Sequence, residues 1–209
     1  MTQLTIGSPD SPPRLKLPVG EVPDAQLPAI LRQAATNLAS CPAWQAGFRG
    51  GVSLQGEPGS ARRPRLTFDG QQRVQLVAAL APLGGPAVKQ VEVSINGATL
   101  CWGRAEVQAL ARSLGGQVSR LQLGHCTLIS DFWVALDECF AALTSLRLQQ
   151  NVTCPAPDVA FFCSTRAADR PLALEFGGGV YNAVHGQQVQ DSLAARGMAH
   201  VSLVRVPYL

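Results

Sequence analysis

Short alternations of apolar and polar residues recur along the chain, and helical periodicities fill the intervals between them. The alternations are PRLTF (64–68), VKQVEV (88–93), VSRLQL (118–123), LTSLRL (143–148), PLALEF (171–176) and MAHVSL (198–203). Their apolar cores begin at Leu66, Val91, Leu121, Leu146, Leu174 and Val201, spaced 25 to 30 residues apart. Side chains of a strand point alternately to its two faces, so each alternation predicts a short strand with one buried face. Between them, Val107, Leu110, Ala111 and Leu114 fall on one side of a helix, as do Phe132, Leu136, Phe140 and Leu143. Val74, Val77, Leu80 and Leu83 form a third stripe, Val159, Phe162 and Cys163 a fourth, and Val189 with Leu193 a fifth. Gly115-Gly116 and Gly197 are placed to end two of these helices, and Ser130 to cap the start of another. The expected unit is strand, turn, helix, turn, repeated five times.

One copy of this unit reads Val118-x-x-Leu121-x-Leu123-x-x-Cys126-x-Leu128. It resembles the leucine-rich-repeat family, whose signature is L-x-x-L-x-L-x-x-N/C-x-L. Val88, Val91, Val93 and Asn96 follow the same signature up to Ala98, and Leu143, Leu146, Leu148 and Asn151 follow it up to Thr153. The flanking copies carry Gln71, Gly179 and Val206 at the Asn/Cys place. A helix in every repeat resembles the ribonuclease-inhibitor-like, intracellular branch. The resemblance implies an α/β leucine-rich-repeat solenoid, with a short curved parallel sheet inside and helices outside. In that architecture Asn96, Cys126 and Asn151 are expected to form an internal ladder that satisfies the backbone groups of the turns.

Residues 1–24 are proline-rich and read as irregular; 25–62 hold a helix and a capping region; 63–209 hold the repeats, with about six strands. Leu27, Ile30, Leu31, Ala34 and Leu38 form the stripe of an N-terminal helix, expected to cap the open end of the stack. Residues 50–54 are read as an extra strand pairing with 66–68. A second reading starts from Val22, Pro23, Asp24, Leu27, Ile30 and Leu31 with Trp44. That stretch resembles the opening of an F-box, which implies a substrate-recognition subunit of a ubiquitin ligase. The span from 22 to 44 is short for that family, and Pro28 interrupts it. At the other end the chain stops at Leu209, just past the sixth alternation. The last apolar face is then expected to be covered by a minimal cap of Pro207-Tyr208-Leu209, by a partner, or by further chain if this sequence is a fragment of a longer one.

Composition narrows the class. The chain has 209 residues, 46% hydrophobic and only 15% charged, with 17 basic and 14 acidic residues and a net charge of +3. That is too apolar for disorder. The longest apolar runs are far shorter than the roughly 20 residues of a membrane helix, and the first ten residues lack the pattern of a secretion signal. The six cysteines show no C-x-x-C pair and no zinc-ligand spacing. The expectation is therefore an intracellular, cytoplasmic protein with free thiols, without metal or cofactor. Arg62, Arg63 and Arg65 are the densest basic cluster and read as an exposed loop.

On the strands, the residue between the two buried positions must face the concave side. This predicts a column of Thr67, Glu92, Gln122, Arg147, Glu175 and Ser202, flanked by Arg65 and Arg120 on one side and Asp69 on the other. Its charges cancel, unlike the positive stripe of a nucleic-acid groove. Glu92, Gln122, Arg147 and Glu175 are thus candidates for binding a protein partner, with no nucleic acid and no membrane expected. Arg147 and Glu175 are also close enough to pair with each other. Nucleophile-elbow, phosphate-loop and zinc-protease motifs are lacking. His125 and Cys126 should face opposite ways, His185 has no acidic neighbour, and Gly177-Gly178-Gly179 fits a tight turn. The expected function is non-catalytic protein binding, as a scaffold, adaptor or subunit of a larger assembly.

Overall fold

The computed structural model describes residues 3–5, 13–17, 23–46, 50–56, 66–95, 98–149 and 151–207. Strands β1 (Gln3–Thr5) and β2 (Arg14–Leu17) precede helices α1 (Leu27–Ala39) and α2 (Pro42–Gln45). Strands β3 (Gly51–Gly56) and β4 (Leu66–Thr67) lead to α3 (Gly70–Ala78), and β5 (Gln90–Ser94) and β6 (Ala98–Trp102) lead to α4 (Arg104–Leu114). Next come β7 (Arg120–Gly124), β8 (Cys126–Leu128) and α5 (Asp131–Cys139), then β9 (Ser145–Gln149) and α6 (Ala156–Thr165). The last unit is β10 (Leu172–Gly177), α7 (Gly178–Ala183), α8 (Gly186–Ala195) and β11 (Val201–Val206).

The main sheet runs β1-β2-β3-β5-β7-β9-β10-β11, with every pairing parallel except β1 with β2. Strand order therefore follows chain order without reversal, and the protein is α/β. A second, smaller sheet, β4-β6-β8, continues from the turns. Helices α1, α3, α4, α5, α6 and α8 contact one another in that order along one side.

Alternation explains this layering. Val52, Val91, Leu121, Leu146, Leu174 and Leu203 stand in register across the sheet, as do Leu54, Val93, Leu123, Leu148 and Phe176. All are buried, and they belong to one continuous core with the apolar stripes of the helices. Helix ends are fixed locally. Asp69 and Gln72 cap α3 reciprocally, and the buried Glu106 accepts from the Gly103 amide at 3.0 Å at the start of α4. Gly115 ends α4 at a positive φ of 94°. Ser130, by contrast, makes no capping bond to α5.

Several expectations change. The N-terminal region is not merely irregular: β2 joins the sheet and buries Leu15 and Leu17 completely. The place beside β5 belongs to β3, whereas Leu66–Thr67 pairs with β6 in the smaller sheet, so 50–54 and 66–68 do not pair with each other. In the last unit Leu174 aligns with Leu203 rather than Val201, so the connection that holds α7 and α8 is two residues longer than the alternation implied. The stripe ending at Leu143 leaves its helix at Cys139, and Phe140 and Leu143 are buried in the turn that follows.

The expected polar ladder is also revised. Cys126 is buried, but its registered neighbours are Leu100 in β6 and, through the Thr127–Thr153 bridge, the strand-like segment holding Val152. Asn151 is exposed and does not enter the interior. It adopts φ 59°, matching the φ 52° of His125, and its Nδ2 lies 3.5 Å from His125 Nδ1. Asparagine suits that place because it tolerates left-handed backbone in a turn, not because it bonds a buried backbone. Asn96 lies outside the described residues.

Candidate binding surface

Helices cover one face of the main sheet and leave the polar face of the central strands facing outward. Register places Arg14, Ser53, Glu92, Gln122, Arg147, Glu175 and Val204 in one row across it. Four of these, Glu92, Gln122, Arg147 and Glu175, are the binding candidates read from the sequence, and the fold brings them together on consecutive strands. Thr67 belongs to the smaller sheet, and Ser202 stands one place off the row, opposite Ala173. Val204 takes the place of Ser202, whereas Ser53, although in register, is fully buried and adds nothing to the outward surface. Alternation alone misses this, because it does not say which strand pairs with which.

Side chains in the row are cross-linked loosely. Glu92 accepts from Gln55 Nε2 at 3.3 Å, and Ser145 Oγ donates to Glu175 Oε1 at 3.1 Å. Arg147 Nε lies 3.7 Å from Glu175 Oε2, with the two side chains 29% and 31% exposed. Such a long, partly solvated pair contributes about 0–1 kcal/mol, so both groups retain capacity for a ligand. The Gln149 amide oxygen, turned toward Arg147, accepts from its Nη2 at 2.8 Å. Gly124 leaves room between these chains: a Cβ there would stand 2.9 Å from Ser94 Oγ and 3.2 Å from Gln149 O.

Gln90, Arg120, Gln122, Ser145, Arg147 and Glu175 line a depression of about 420 Å³. It offers guanidinium and amide donors on one wall and a carboxylate on the other. That set suits the mixed, directional hydrogen bonding of a polypeptide surface better than a phosphate backbone, which needs unopposed positive charge.

The remaining candidate chemistry disperses. His125 and Asn151 meet side by side from the turns of neighbouring units, His185 stands at the start of α8, and His200 Nε2 lies 2.9 Å from the Arg166 carbonyl oxygen. Burial pushes the thiols of Cys126, Cys154 and Cys163 above their ordinary range, the last two to about 12. Gly177 closes β10 and Gly178 opens the six-residue α7, so the glycine run is a strand-to-helix junction. No three His, Cys, Asp or Glu side chains among the described residues gather as a metal site. Nor is any described helix long and apolar enough to cross a membrane. Comparison with protein-family models, curated proteins and solved structures finds no match.

Proposed function

We propose that this chain is a non-catalytic protein-binding module of the leucine-rich-repeat type, which engages a protein partner through the outward face of its parallel sheet. The observation that carries this reading is the row Glu92, Gln122, Arg147 and Glu175, in register on four neighbouring strands, half-buried and not covered by any of the described helices. Charges of both signs at spacings of one strand discriminate between surfaces by complementarity. The repeat assignment is supported by the copy from Val118 to Leu128, whose five signature positions are all buried. A cytoplasmic, intracellular scaffold or adaptor role agrees with six free cysteines.

The F-box alternative is the weaker reading. Leu27, Leu31, Ala35 and Leu38 spend the apolar stripe of α1 on the chain's own core, and Trp44 is buried as well. Pro28 falls at the start of α1, where proline is tolerated, so α1 is an ordinary first member of the helix row.

Charge reversal tests the proposal. A Glu92→Lys/Arg147→Glu double variant should retain less than about a tenth of the proteins that wild-type bait retains in affinity purification with mass spectrometry. Its melting temperature should be unchanged, since both residues lie on the solvated face. Identical retention by the two baits overturns the assignment. A panel of generic esters and phosphate esters should show no turnover.

A further inference from the structure

The depression on the outward face of the sheet holds one charged donor that the chain itself does not use. Arg120 opens β7 and stands in register with Gln90 of β5 and Ser145 of β9, neither of which carries a charge. Its backbone is fixed, because its N–H donates to the Lys89 carbonyl at 3.0 Å. Its side chain is exposed and makes no ion pair with any described residue.

The carboxylates closest to it in the sheet are already engaged. Glu92, two residues beyond Gln90 on β5, accepts from Gln55 Nε2 at 3.3 Å. Glu175, two strands away on β10, accepts from Ser145 Oγ at 3.1 Å and faces Arg147 Nε at 3.7 Å. Within the depression, two guanidiniums, Arg120 and Arg147, therefore meet one carboxylate, Glu175. Its hydroxyls are spent as well, since Thr144 Oγ1 donates to the Ser119 carbonyl at 3.1 Å and Ser145 to Glu175. What remains to meet a ligand is the Arg120 guanidinium beside the Gln90 amide. A surplus of donors with one uncompensated positive charge calls for an anionic acceptor. A carboxylate fits the guanidinium fork in a bidentate pair. A phosphoryl dianion fits less well, because Glu175 lines the same depression and repels the second charge.

On the reading that the outward face binds protein, we propose that Arg120 anchors an Asp or Glu side chain of the partner, so that the depression selects for an acidic residue. An arginine held on a strand at a concavity is less screened than one on an open convex surface, which favours such a pair.

Linear peptides displayed as N-terminal fusions, and therefore without a free C-terminus, are selected on the full chain. Enriched sequences should carry Asp or Glu at one recurrent position. A synthetic, C-terminally amidated copy should bind wild type at least about tenfold more tightly than its Asn or Gln counterpart does, and lose as much against Arg120→Gln. Arg196→Gln removes the same charge from the exposed end of α8 in the helix layer and should leave binding unchanged. Arg120→Glu should abolish binding, and a peptide with Lys at the recurrent position should restore it. Because the Arg120 side chain is solvated, both variants should melt like wild type. Enriched peptides without an acidic residue, equal binding to Arg120→Gln, or a failed charge swap overturns the anchor. Tighter binding of a phosphoserine counterpart assigns the depression to a phosphopeptide and also overturns it. Binding lost in the Glu92→Lys/Arg147→Glu variant but indifferent to Arg120→Gln removes the anchor and leaves the sheet face as the binding surface. No enrichment, or peptides that bind both of those variants as they bind wild type, overturns the anchor and that face together.

Discussion

At the scale of single residues, burial decides what each polar group can do. Cys126, Cys154 and Cys163 are enclosed by apolar neighbours, and desolvation disfavours their thiolates. A thiol reagent at pH 8 should therefore leave these three unmodified in the native protein, with labelling of all six cysteines only after denaturation. The same shift sets a pH dependence. An unfolded thiol ionises near about 8.5, whereas these buried thiols stay protonated well above that. The unfolded state thus loses protons first, and stability falls as pH rises above about 8.5. Stability that stays constant in denaturant titrations between pH 8 and 10 would contradict this. The row of Glu92, Gln122, Arg147 and Glu175 is the converse case, with groups left half in water and so able to exchange solvent for a partner.

Elements are held by contacts between consecutive units. Arg73 of α3 donates from Nε to Glu106 Oε1 at 2.8 Å and from Nη1 to the Phe68 carbonyl at 2.8 Å, while Glu106 also caps α4. One carboxylate thus joins two helices and a turn. Glu106→Gln keeps the shape but faces Arg73 with a neutral amide, and should lower stability by about 1–3 kcal/mol. Gly84 shows how closely the units stack: a Cβ there would lie 2.1 Å from the Ser113 carbonyl oxygen. Both atoms are near backbone that cannot swing aside, so Gly84→Ala should cost about 1–3 kcal/mol by overpacking. Thermal unfolding of both variants is the measurement.

For the whole molecule, strand order that follows chain order means each unit packs chiefly on its sequence neighbours. Leu31 in α1 and Leu203 in β11 are both fully or nearly fully buried, yet they belong to opposite ends of the row. Each truncation to Ala should cost about 2–5 kcal/mol, and the double variant should equal the sum within about 0.5 kcal/mol. A strong departure from additivity in denaturant unfolding would mean that the ends communicate through the stack. The low charge of the chain, 15%, has its cause at this scale too. Every unit gives two strand positions and a helix stripe to one shared core, leaving fewer outward positions for charge.

Alternation and helical spacing by themselves determined the central units: β5, β7, β9 and β10, the helices between them, and the outward placement of Glu92, Gln122, Arg147 and Glu175. Those are local consequences of period two and period 3.6. Pairing is different, because it depends on connection lengths and on which apolar pairs meet. Only the tertiary structure put β3 rather than β4 beside β5, set Val204 rather than Ser202 opposite Glu175, and added β2 to the sheet. It also moved Asn151 from an expected interior ladder to an exposed left-handed turn, since a longer turn before Val152 shifts the register by one residue relative to Cys126. The cleft of about 350 Å³ between α5 and α6 had no sequence signal beyond the adjacent apolar residues Trp133-Val134 and Phe161-Phe162, of which Trp133 and Phe162 are buried and Val134 and Phe161 exposed. Which member stays outside, and whether the two outward members face each other, is a matter of how far apart neighbouring helices pack.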